Sequence, residues 1–297
     1  MTREEYLIKK YDDFRVGYLG KKMDFMQHPS VAQIDPFCIA DGLYYVGDKK
    51  VCIHLVDTGA GLILIDSGYL GTAHLLVDSI WRAGFDPKDI KIILHTHGHS
   101  DHFGASSEFK RMYGCRLIIS EIDAELVRRT KLNSGLYPLA TAPEFDEEIA
   151  DGDVIELGNV KIRCVLTPGH TDGVMSFFFD VTYDGKGYTA GLFGGAGTNA
   201  LSLPYMCKNG YTEDLPQKML KSIDAMRKER VEVHLGNHPG NNKTLEKRER
   251  MLAEGGNPFI DGGESWRGFL DSLEKKVREV IADNERLEAE MRGVVEG

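Results

Sequence analysis

LHTHGHSDHFGA, residues 94–105, places four of the chain's ten histidines, His95, His97, His99 and His102, within eight residues, with Asp101 among them. The stretch follows IKIIL, an apolar run ending at Leu94 that reads as a strand. It precedes FGASSEFKRMYG, which reads as a short helix closed by Gly114. On an extended segment, side chains two apart point to the same face, so His97 and His99 can grip one ion together. Asp101 and His102 fall at the turn into the helix, where they can face a second ion. Neutral imidazoles with one carboxylate suit zinc, which takes nitrogen and oxygen ligands at ~2.0–2.2 Å. A solvated, metal-free strand end is the other reading, and it is disfavoured because imidazoles converging on one turn repel as protons bind. His95 sits behind Thr96 and reads as packing or support for the ligands, with a substrate-facing or metal-associated role the lesser alternative.

Around this stretch the sequence is that of an ordinary globular protein. Its 297 residues, 42% hydrophobic and 28% charged, suffice for one large domain or two small ones with a sizeable core. A formal net charge of -10 repels polyphosphate and no clear basic patch offsets it, so nucleic acid is not expected as a partner. The amino terminus, MTREEYLIKKYDDF, carries charges throughout and lacks the apolar core of a secretory signal. No segment approaches the ~20 apolar residues of a membrane span. These features predict a soluble, cytoplasmic protein with no membrane partner. Cys38, Cys52, Cys115, Cys164 and Cys207 are odd in number and lack CxxC spacing, which suits reduced, buried thiols rather than a disulfide framework.

Turn chemistry and hydrophobic period order the elements on both sides. Residues 38–68 read as three short strands separated by the turns GDKK and TGAG. TAHLLVDSIWRAG follows as a helix, with Leu75, Leu76, Ile80 and Ala83 at helical spacing. RLIIS reads as a strand, EIDAELVRRT as a helix, and VIELGNVKIRCVLTPGH as a hairpin running into His170. VMSFFFDVTY and GYTAGLFG read as further strands, LPQKMLKSIDAMRKE as a helix and VEVHLG as a strand. A long amphipathic helix over about 264–292 carries Trp266, Leu270, Leu273, Val277 and Ile281 on one face. Docking on its own domain is the simpler use of that stripe, and a homo-oligomer contact is the other. Leu132 to Glu148, with Pro138 and Pro143, is the one long irregular stretch, and such loops are often functional. Without an internal repeat or a low-complexity linker, the simplest organisation is one domain over 1–297 with an N-terminal extension of about 1–35.

His97, Gly98, His99, Ser100, Asp101 and His102 match in full the H-x-H-x-D-H signature that follows a strand in the metallo-β-lactamase superfamily. The chain resembles that family from about Pro36 to the last helix. The resemblance implies an α+β fold, an αββα sandwich with the metals at one edge. It implies that His170, in TPGHTDG, completes the ligands of the first metal and that His238, in GNHPGN, is the last ligand of the second. His234, the rival to His238, lies inside the strand VEVHLG. Asp66, in LILIDSG, looks like the family aspartate that supports the site through hydrogen bonds rather than binding metal. Its other reading is an N-cap for the following turn.

Many superfamily members, including glyoxalase-type thioesterases and homoserine-lactone hydrolases, place a metal-bridging aspartate after the next strand. YTAGLFGGAGTNA, residues 188–200, contains no Asp, Glu or Cys, and Gly194 or Gly195 stands where the bridge would be. Cys207 is too poorly spaced to substitute. A site of His97, His99 and His170 on one Zn2+ and Asp101, His102 and His238 on a second, with no carboxylate bridge, resembles the third subclass of metallo-β-lactamases. That resemblance implies a dinuclear zinc hydrolase acting on a small-molecule carbonyl. Two zinc ions lower the pKa of a shared water from 15.7 towards ~7, and Asp101, as a catalytic group, orients the hydroxide. Opening of a β-lactam ring is the best-named reaction. The alternatives are a cytoplasmic lactonase, carboxylesterase or thioesterase of metabolism, with a phosphodiesterase or RNA-processing nuclease disfavoured by the acidic charge. Gly195, Asn199 and Asn242 are candidate substrate contacts as oxyanion donors, or else turn-forming residues. Tyr69 and Tyr137 are candidates for the entrance.

Overall fold

Strands that are apolar on both faces must be covered on both sides, and this chain does so with four layers. A computed structural model gives the fold over residues 2–14, 28–129 and 142–295. β1 (Phe37–Ala40), β2 (Leu43–Tyr45), β3 (His54–Asp57), β4 (Leu62–Ile65), β5 (Ile90–Leu94), β6 (Arg116–Ser120) and β7 (Glu147–Ile149) pair in that order into one sheet. β4 to β7 run parallel. β8 (Val154–Leu157), β9 (Val160–Leu166), β10 (Met175–Tyr183), β11 (Lys186–Leu192) and β12 (Val233–Leu235) form the second, in the order β12-β11-β10-β9-β8.

The two-residue side-chain period then assigns each residue to a layer. On β4, Ile63 and Ile65 enter the core between the sheets, while Leu62 and Leu64 pack outward. They pack against α2 (Ala73–Arg82) and α3 (Ser106–Tyr113), with α4 (Glu121–Arg129) following β6 on that side. On β10, Phe177 and Phe179 face the inter-sheet core and Phe178 the opposite outer layer. That layer holds α1 (residues 3–14), α5 (Leu203–Asn209), α6 (Leu215–Met226) and α9 (Glu264–Val295). α7 (Pro239–Asn242) and α8 (Thr244–Glu254) connect β12 to α9. Each fully buried aliphatic or aromatic side chain contributes about 1.5–3 kcal/mol, so these three apolar clusters hold the layers together. The fold is the expected α+β sandwich, two sheets between helical layers.

Four points differ from the sequence reading or sharpen it. Residues 38–68 form four strands, not three, because Gly42 at φ 74° turns the chain between β1 and β2. The irregular stretch closes on an edge strand, β7, and its residues 130–141, Tyr137 included, lie outside the described residues. The N-terminal segment includes α1, whose Leu7 is fully buried and whose Arg3 pairs with Glu213 and Glu288. The stripe of α9 docks on its own domain: Trp266, Leu270, Leu273 and Val277 are buried, and Trp266 Nε1 donates to the Met226 carbonyl. No helix among the described residues is long and apolar enough to cross a membrane.

Candidate metal centre

The C-terminal ends of β4, β5, β9, β11 and β12 lie at one edge of the sandwich, and each releases a loop that carries a polar group there. The loops are stitched by main-chain bonds: Asp66 N–H donates to Leu94 O, His95 N–H to Ile118 O, and Met175 N–H to Thr96 O. Among the described residues, two trios of side chains converge, His97 with His99 and His170, and Asp101 with His102 and His238. Within each trio the ligand atoms lie within 4.8 Å of one another. His97 and His102 belong to different trios, yet their ring centroids are 4.2 Å apart, so the two groups adjoin.

Hydrogen bonds at the rear nitrogens decide what the front nitrogens can do. His97 Nδ1–H donates to Gly194 O at 3.0 Å, and its Nε2 is buried with no hydrogen-bond partner. His170 Nδ1–H donates to Gly197 O at 2.6 Å and His238 Nδ1–H to Lys50 O at 2.7 Å. His102 Nδ1–H donates to Asp66 at 2.7 Å. Each of these protons leaves a lone pair on the opposite nitrogen. His99 differs, because its Nδ1 is the nitrogen that faces His170 Nε2 at 2.8 Å. In the second trio, His102 Nε2 and His238 Nε2 are 3.3 Å apart, and Asp101 Oδ2 stands 4.0 and 3.9 Å from them. Lone pairs aimed at one another across such gaps are favourable only with a cation between them. The donor set of five imidazoles and one carboxylate fits zinc.

Burial and mutual repulsion favour the neutral form of three of these rings. His97 and His170 are held well below the usual histidine range, first by desolvation and then by the neighbouring imidazoles. His238 is lowered by the same causes. Neutral imidazole is the ligating form, so the site is pre-set for metal at neutral pH.

Asp66 lies behind the second trio, bonded to His102. Its backbone has φ 64°, a conformation rare outside glycine, and its carboxylate is buried. One oxygen accepts Thr96 N–H at 2.8 Å; the other accepts Thr96 Oγ1–H and His102 Nδ1–H. His95 is a packing residue, fully buried, bonded to Ile118 O through Nδ1 and to Ser106 Oγ through Nε2. His234 is also buried, against Trp266 and Phe269, and is absent from both trios.

Gly195 and Gly197 lie close against His170. A Cβ on Gly195 would come 3.0 Å from His170 Cβ, and one on Gly197 would come 2.7 Å from His170 Cε1. The loop therefore wraps the ring and feeds two carbonyls to two histidines of the first trio. Asn199 is exposed beyond it. Asn242 needs correction as a substrate contact: it is buried, its amide donating to His234 O and its oxygen accepting from Thr244 Oγ1. Tyr69 is half-buried. Sequence reasoning missed Tyr211, whose hydroxyl lies 3.4 Å from His99 Nε2 and whose ring stacks on Tyr205. Burial pushes that phenol up, so it keeps its proton.

The model of the metallo-beta-lactamase superfamily matches residues 47–182. Residues 47–182 are a metallo-beta-lactamase superfamily domain. Among solved structures, the chain is similar to BJP-1, a subclass B3 metallo-beta-lactamase of Bradyrhizobium japonicum. The identity is 27%, with TM-score 0.77, over 86% of this chain and 97% of that one. Among curated proteins, it is 32% identical to an uncharacterized protein of Aquifex aeolicus over 133 residues, 43% of this chain and 58% of that protein. It is 30% identical to the hydroxyacylglutathione hydrolase of Chelativorans sp. over 104 residues, 35% of this chain and 34% of that enzyme. The match thus spans between about a third and three fifths of these two curated relatives.

Proposed function

We propose that the protein is a dinuclear zinc hydrolase that cleaves a small-molecule amide or cyclic ester, with β-lactam ring opening the best-named reaction. The observation that carries this reading is the convergence of two ligand trios whose rear nitrogens are bonded to carbonyls or to Asp66. The absence of a carboxylate at Gly194–Gly197 and the likeness to BJP-1 support the β-lactam arm. His97 Nε2, His99 Nδ1 and His170 Nε2 would hold one ion, and Asp101, His102 Nε2 and His238 Nε2 the other. Bound zinc supplies a low-pKa water and polarises a carbonyl. Asp101, half-buried at the rim, accepts a hydrogen bond from the attacking water and fixes its direction. Tyr211 O–H, Asn199 and the Gly195 amide are the donors available for the developing oxyanion.

A metabolic thioesterase or lactonase is the second reading, and the hydroxyacylglutathione hydrolases among the relatives favour it. The cytoplasm is the proposed compartment, supported by five free thiols. The experiment is turnover of a chromogenic cephalosporin, an S-acyl thioester and a simple lactone, each with zinc and with chelator. Chelator-sensitive cephalosporin opening supports the first arm; thioester or lactone turnover alone moves the protein to the second. No turnover of any carbonyl substrate overturns both.

A further inference from the structure

One buried carboxylate outside the ligand set touches both loops that carry the first trio. Asp123, in the first turn of α4, is 1% exposed. Oδ2 accepts Gly98 N–H at 2.7 Å and Thr171 Oγ1–H at 2.7 Å. Oδ1 accepts Gly173 N–H at 3.0 Å. All three partners are donors, as an ionised carboxylate requires. Gly98 lies between His97 and His99, and Thr171 follows His170, so Asp123 is bonded one residue away from every ligand of the first trio. It bonds no neighbour of His102 or His238 by any of these three contacts.

The surroundings are shaped for this approach. A Cβ on Gly173 would stand 2.5 Å from Asp123 Oδ1 and 2.6 Å from its N, and one on Gly98 would stand 3.1 Å from its carbonyl oxygen. Glycine at both positions therefore lets the two loops close on the helix. Ser120 adds a second clasp: its hydroxyl donates to Gly173 O at 2.6 Å and accepts Asp123 N–H at 3.2 Å.

We infer that Asp123 is a positioning residue that locks the His97–His99 segment to the His170 loop, so that three imidazoles from two distant parts of the chain meet at one ion. The inference rests on the dinuclear reading above. The second trio is oriented by other groups, Asp66 behind His102 and the Lys50 carbonyl behind His238. Removing the Asp123 tether therefore weakens one ion and spares the other, which a merely structural carboxylate would not do.

Asp123→Asn tests this, because two backbone N–H groups demand acceptors at both carboxylate positions and an amide offers only one. The wild type and the variant are titrated with zinc against a chromophoric chelator to obtain two stepwise affinities. Cobalt in place of zinc reports which site fills, since a three-imidazole site and a carboxylate-containing site absorb differently. The expected result is a first-trio ion weakened by roughly 10–100-fold, the loss typical of groups behind metal ligands, with the second unchanged. If Asp123→Asn gives no cooperative melt, Thr171→Val removes a single bond to the same carboxylate and should weaken the same ion by about fivefold. Two ions bound with wild-type affinities in the folded variant, or both weakened equally, overturn the inference alone. A wild type that binds fewer than two ions overturns the dinuclear reading and this inference with it.

Discussion

Replacing Asp66 by Asn exchanges one oxygen for NH2 at nearly constant volume, and the hydrogen bonds around it dictate which oxygen is exchanged. Thr96 N–H can only donate, so the amide oxygen must stay opposite it, where Oδ1 stands 2.8 Å away. The NH2 then occupies the place of Oδ2, facing Thr96 Oγ1 and His102 Nδ1. A hydroxyl can switch to accepting, but His102 Nδ1 accepts only by giving up its proton, which moves to Nε2. That nitrogen faces His238 and is the one that would ligate. Three bonds to a carboxylate become bonds to a neutral amide at a cost of about 1 kcal/mol each, so the metal-free protein loses ~3 kcal/mol. At this chain length the melting midpoint falls by about 5 °C. The larger effect is on metal: the ion held by Asp101, His102 and His238 weakens by roughly 10–100-fold while the first is unchanged. Thermal melts of the metal-free protein and two-site zinc titrations measure both. An Asp66→Asn protein that binds both ions as the wild type does would refute the tautomer argument.

His97→Ala removes the buried nitrogen that has no hydrogen-bond partner, so zinc content falls by one ion per chain and turnover by at least about a thousandfold, measured by metal analysis beside steady-state rates. Gly197→Ala tests the cage around His170: its φ of -70° suits any residue, so the effect is purely steric, through the ring 2.7 Å from the new methyl. Zinc affinity at the first trio should drop roughly tenfold with the melting midpoint nearly unmoved, and a drop in the midpoint alone would contradict the cage. Acid stability follows from two buried histidines away from the trios, His54, lowered to about 4, and His234, lowered to about 3, both by desolvation. The unfolded chain takes up their protons below pH ~6.5 and the folded one does not, so stability is present above that value and lost as pH falls towards the folded pKa values. Between pH 7 and 5 the two together remove about 4 kcal/mol, and His234→Phe should abolish half of that slope in denaturant titrations.

Much of the site was legible because its ligands sit directly after strands. An apolar run followed by H-x-H-x-D-H marks both the turn and four of the six side chains that converge in the trios, and residues 194–197 contain no carboxylate. Asp66 was readable for the same reason, one residue past an apolar strand. Asp123 was not: an acidic residue in the first turn of a helix is ordinary, and its bonds to Gly98, Thr171 and Gly173 cross 25 to 50 residues of chain. Tyr211 follows a short helix, α5, too brief to carry a period, and reaches His99 across 112 residues. Asn242 misled because a polar residue after a ligand looks exposed, whereas the α7 turn folds it inward onto β12. The edge strand β7 has three residues, fewer than any alternation needs to be recognised.

The central claim is that two adjoining trios hold two ions and that both serve one carbonyl hydrolysis. Turnover of whichever carbonyl substrate the panel identifies, followed as zinc is returned to the metal-free protein in measured equivalents, tests it most directly. The account predicts activity that is negligible without metal, rises through two equivalents and then levels off. Full activity in chelator, or two bound ions with no hydrolysis of amide, ester, lactone or thioester, would contradict it.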